Sequence, residues 1–98
     1  MPVVKAVLVT IIAESVLLPT LKDLVRQAGA KGYTIETVAE GFGTHGSRDG
    51  QFETDQTTKM LLVVSLPVAL KIFEEIEHSL EPHYAVTTFR HEVEVIRP

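Results

Sequence analysis

The sequence predicts an α+β domain in which two helices cover one face of a four-stranded antiparallel sheet. Three observations carry this expectation: apolar segments follow the order strand, helix, strand, strand, helix, strand; a proline stands near the start of each helical segment; and one long glycine-rich polar stretch separates the second strand from the third. With 98 residues, 45% of them hydrophobic, one core suffices and a second domain is excluded.

Val3 to Ala13 (VVKAVLVTIIA) is dense in β-branched residues and short, which favours a strand, and it is apolar on both faces. Pro19 suits the first turn of a helix, and Leu21, Leu24, Val25 and Ala28 recur at helical spacing until Gly29 offers a stop. Tyr33 to Ala39 alternates and reads as a second strand. Gly41 to Thr57 holds four glycines among polar residues with no apolar period, which predicts a long mobile loop. Thr58 to Ser65 is the third strand. Pro67 then opens a second helix with Val68, Ile72, Phe73, Ile76 and Leu80 along one face, ending before Pro82. Tyr84 to Ile96 alternates again, with Ala85, Thr87, Phe89, His91, Val93 and Val95 against Arg90, Glu92 and Glu94, and makes the fourth strand. This order is the split βαβ, or ferredoxin-like, arrangement.

Composition closes several classes of function. There is no cysteine, so thiol chemistry, disulfides and thiolate metal sites are absent. The apolar runs, Ala6 to Ala13 and Met60 to Val64, fall far short of the ~20 residues of a membrane helix. The first residues carry no basic, apolar, small-residue progression of a secretory signal, so a cytoplasmic location is expected. A net charge of −4 argues against nucleic acid as a partner.

Two helices shield only one sheet face, yet Lys5 and Lys59 are the only charges in the first and third strands. The other face is expected to be an apolar patch, and a closed ring of identical copies buries such a patch economically. A monomer with an unusually apolar surface is the alternative.

The segment Gly29-Ala30-Lys31-Gly32-Tyr33-Thr34, followed by Glu40-Gly41-Phe42-Gly43-Thr44-His45-Gly46-Ser47-Arg48-Asp49-Gly50, resembles the second strand and T-loop base of PII-like signalling proteins. The likeness is to the branch related to SbtB and the carboxysome-associated PII proteins. It implies a homotrimer whose clefts between subunits bind an adenine nucleotide (ADP, AMP, cyclic AMP or ATP) as effector, with bicarbonate as a candidate second ligand. It also implies a T-loop, about 41–57, that docks on a transporter or a carbon-metabolism protein, which would bring the chain to a membrane through that partner. Many relatives carry a basic residue where Phe42 stands and an acidic one near Leu61. The loop has no tyrosine, so the uridylylation of classical PII proteins has no acceptor here.

Thr10 at the end of the first strand, and Lys31, Gly32, Tyr33 and Thr34 at the start of the second, lie in segments that resemble the family's adenine and ribose pocket, and Gly41, Gly43, Gly46, Ser47 and Arg48 in the loop, with Arg90 in the last strand, complete the candidate nucleotide contacts. Glycines let backbone N–H groups approach phosphate oxygens, and an arginine can supply a bidentate charge. Each has a plainer reading. Arg48 can be a solvent-exposed loop arginine, Arg90 a cross-strand partner of Glu36 or Glu94, Tyr33 a half-buried strand aromatic, and Lys31 a cation favoured at a helix end. Gly41 to Gly46 also fits GxGxxG, but it leads into a polar stretch rather than a helix, so a dinucleotide fold is not expected. His45, His78, His83 and His91 match no zinc spacing, and Glu74, Glu75, Glu77 and Glu81 read as a solvated helix face.

No catalytic residue stands out. An acylphosphatase would need a glycine-rich loop with an arginine after the first strand, and Ala13 to Leu18 has neither. Slow nucleotide hydrolysis is the one activity left open. A CutA-type structural or metal-binding trimer is the rival reading, and it predicts a paired extended hairpin in place of the loop, against which four glycines speak.

Overall fold

In a computed structural model, the chain is described over residues 2–39, 42–43, 46–47 and 56–96, with backbone pairing alone for 42–43 and 46–47. The β-branched opening forms β1, Val3–Glu14, which a short 3-10 turn, Ser15–Leu17, joins to α1, Leu18–Ala28. Gly29 ends that helix at φ 113°, with its N–H bonded to the carbonyls of Arg26 and Val25. β2, Thr34–Val38, follows; then come β3, Phe42–Gly43, and β4, Gly46–Ser47; then β5, Thr57–Val64; α2, Leu66–Ser79; and β6, Thr87–Ile96. Both helices carry their proline in the first turn, where the missing N–H has no partner to lose.

The main sheet runs β2-β5-β1-β6 with every neighbour antiparallel, which is the ferredoxin-like order. Val7, Val9, Ile11 and Ala13 of β1 and Met60, Leu62 and Val64 of β5 meet Leu21, Val25 and Ala28 of α1 and Ala69, Ile72 and Ile76 of α2 in a single core. Leu80 closes the far end of that core, and the N–H groups of Leu80 and Glu81 both bond to the Ile76 carbonyl.

Two details differ from the sequence reading. The stretch read as wholly without order contains the antiparallel pairs Phe42↔Ser47 and Gly43↔Gly46; segments this short have no apolar alternation to betray them. Tyr33, Ala39, Tyr84 and Ala85 also lie outside the strands, since the pairing of β2 starts at Thr34 and ends at Val38, and that of β6 starts at Thr87.

The register assigns the faces. Residues directly opposite in an antiparallel pair share a face, and Val7, Val9 and Ile11 lie opposite Glu92, Arg90 and Thr88. The charged row of β6 therefore points to the helix side, at the edge of the layer the two helices form. The open side receives Leu8, Thr10 and Ile12 of β1, Val63 and Leu61 of β5, and Phe89, His91, Val93 and Val95 of β6. Val63 is 54% exposed and Phe89 44%. Glu14, Glu36 and Lys59 are the charged side chains on that face among the described residues, all toward one end of the sheet.

Candidate functional site

The long loop leaves the sheet from two adjacent strands, since Val38 at the end of β2 pairs with Thr57 at the start of β5. Its return is pinned to the end of β1. The Ser15 N–H donates to the Gln56 carbonyl at 2.8 Å, and the Ser15 and Thr58 hydroxyls lie 2.5 Å apart. Thr57 beside them is 1% exposed, and its Oγ1 has no hydrogen-bond partner among the described residues. That residue, at the loop base, is not apparent from sequence, because a threonine at a strand start carries no signal until its burial is known.

Sequence-identified contacts occupy three separate places on one chain. Thr34, Leu61, Thr10 and Phe89 form one row across the open face, so Thr10 and Thr34 share a side of the sheet with two strand spacings between them, about 10 Å. Thr10 lies inside β1 rather than at its end and is 2% exposed, which leaves it little to offer a ligand. Lys31, Gly32 and Tyr33 lead into β2 and are exposed. They sit about 16 Å, five extended residues, from the loop end of that strand. A Cβ placed on Gly32 would meet nothing within 4 Å, so its own chain does not require glycine there.

Arg90 is on the opposite face from Thr10 and Thr34. Its guanidinium carbon stands 4.6 Å from the centroid of the Phe73 ring on α2, a cation–π arrangement. This corrects the cross-strand reading: Glu36 pairs with Lys59 at the other edge of the sheet, and Glu94 pairs with Lys5. Helical spacing marks Phe73 as a core residue alone; its ring is also the platform for Arg90. Gly43, Gly46 and Ser47 fall in β3 and β4, while Gly41 and Arg48 lie outside the described residues.

Among the described residues no group of three or more His, Asp or Glu side chains is gathered to hold a metal ion, and the ion pair found, Asp23 with Arg26 at 3.4 Å, is exposed on α1. The groove between the helices is lined by Asp23, Leu24, Lys71, Glu74 and Glu75, none of them a sequence-identified contact. No described helix is long and apolar enough to cross a membrane.

A family model described as nitrogen regulatory protein P-II matches residues 6–98. The chain belongs to the P-II family. Among solved structures, this P-II chain is similar to a protein of Thermus thermophilus described as PII-like signalling, at 38% identity and TM-score 0.85, over 98% of this chain and 94% of that one. It is also similar to CPII of Thiomonas intermedia bound to ADP and bicarbonate, at 26% identity and TM-score 0.88, over 99% of this chain and 94% of that one. A search of curated proteins gives no match. The P-II assignment agrees with the ferredoxin-like sheet order and with the position of the long loop between β2 and β5.

Proposed function

We propose that this PII-like regulatory chain is a homotrimer that binds an adenine nucleotide between its subunits and signals through the loop joining β2 to β5. The reading rests on one observation: the candidate contacts lie on two faces of the sheet and at its two edge strands, β2 and β6, so only a neighbouring copy can bring them around one ligand. In a ring, the β6 edge of one copy, carrying Arg90, stands beside the β2 edge of the next, carrying Lys31 to Thr34. The apolar open face is what closes the ring.

The similar CPII structure with ADP and bicarbonate supports nucleotide as the ligand class and bicarbonate as a candidate second ligand. Gly41, Gly43, Gly46, Ser47 and Arg48 contribute backbone N–H groups and a charge to the phosphates, and Thr10 lines the open face beneath. Occupancy shifts the loop between states that do or do not engage a transporter or a carbon-metabolism protein. The chain acts by binding, in the cytoplasm, without catalysing a reaction.

Calorimetric titration with ATP, ADP, AMP and cyclic AMP, with and without bicarbonate, is the test, run beside Arg48→Ala. At least one nucleotide is expected to bind more tightly than millimolar, about −4 kcal/mol, and Arg48→Ala to weaken ATP and ADP more than AMP and cyclic AMP. Absence of binding by all four overturns the sensing reading and leaves a purely structural trimer.

A further inference from the structure

We infer that acid weakens the self-assembly of this protein through His91, an inference that rests on the trimer reading above. His91 lies on the open face of edge strand β6, directly opposite Leu8 of β1, with Phe89 and Val93 flanking it on its own strand. Among the described residues no helix covers that face and β1 is the one element packed alongside, presenting Ala6, Leu8 and Thr10 to the imidazole, none of them charged. Arg90 and Glu92, the neighbours in sequence, point to the helix side. The charged groups on the open face among the described residues are Glu14, Glu36 and Lys59, all toward the loop end, four to six residues of β1 beyond Leu8 or across two further strands.

On a free subunit His91 is exposed and hydrated in either charge state. When another copy covers the face, the ring moves among Leu, Phe and Val side chains. A neutral imidazole tolerates that transfer with one hydrogen bond, whereas an imidazolium without a carboxylate partner loses its hydration uncompensated. Protonation therefore favours separated subunits. The contribution to assembly is present while the imidazole is neutral and is lost in acid, where it becomes charged. A ring repeats the penalty at each copy. A neighbour's Glu14 or Glu36 reaching the imidazolium would reverse the sign, and acid would then tighten the assembly.

Sedimentation velocity of the full chain over a concentration series, at about pH 8 and about pH 5.5, tests this beside His91→Gln and His91→Phe, with far-UV circular dichroism at both values. The wild-type association constant is expected to fall at least about tenfold in acid, and that of His91→Gln to stay within about twofold. His91→Phe assembles at both values. A wild-type constant independent of pH, tighter assembly in acid, an equal fall in His91→Gln, or loss of helical signal in all three chains each overturns the inference. A single-copy particle at about pH 8 overturns the trimer reading and this with it, so the two failures are distinguishable.

Discussion

Gly29 and Gly32 stand three residues apart and answer to different constraints. At Gly29 the backbone is left-handed, φ 113°, and an added Cβ would lie 3.2 Å from Val68 Cγ2 of α2. Gly29→Ala is expected to cost about 1–2 kcal/mol in urea unfolding, because strain and crowding fall on one residue and no ligand is involved. At Gly32 a Cβ meets nothing, so Gly32→Ala is expected to leave the urea midpoint unchanged. Under the proposed function the same change weakens nucleotide binding, since the free space beside Gly32 then belongs to a ligand or a neighbouring copy. The hydroxyl pair of Ser15 and Thr58 makes a third residue-scale case. Ser15→Ala orphans a Thr58 hydroxyl that is only 7% exposed, at an expected cost of about 1–2 kcal/mol. Adding Thr58→Val to it should restore part of that loss, and a double-mutant cycle reads the difference.

Elements are legible wherever one residue pattern fixes them. Pro19 and Gly29 bracket α1 and Pro67 heads α2, so both helices can be placed within a residue or two. The alternation in Thr87–Ile96 identifies a strand without saying which row faces the helices. Chemistry alone would turn Arg90, Glu92 and Glu94 away from the core side and the apolar row toward it. Register decides otherwise, because β6 is an edge strand at the margin of the helix layer, where Arg90 lies over the Phe73 ring of α2, and register is a long-range property absent from any local window. For the same reason the Arg90–Phe73 contact is invisible in the sequence. Phe73→Leu removes the ring and keeps an apolar side chain. It is expected to cost less than about 1 kcal/mol in stability from the lost cation–π contact. If Arg90 serves phosphate, Phe73→Leu weakens ADP severalfold while leaving adenosine unchanged, and Phe73→Tyr restores ADP; titration of both ligands separates that role from simple packing.

At the scale of the whole molecule, an apolar face needs an occupant, and membership of the P-II family together with the dispersed candidate contacts makes a second and third copy the economical one. Val63 offers a clean probe. It lies on the open face opposite Leu8 and is 54% exposed in the single chain, so Val63→Glu changes no contact of the helix-side core. Burying that carboxylate between copies without a partner costs several kcal/mol per subunit, enough to empty the assembled state at micromolar concentration. Val63→Glu is therefore expected to sediment as one copy with its circular dichroism intact, while Glu74→Lys on the outer helix surface sediments as wild type. Assembly and ligand affinity are reciprocal where the ligand is shared between copies. Nucleotide binding is then lost in Val63→Glu although the substituted side chain lies on the open face, away from Arg90. Intact nucleotide affinity in a single-copy Val63→Glu would locate the ligand site within one subunit instead, a result that calorimetry on the same sample reads directly.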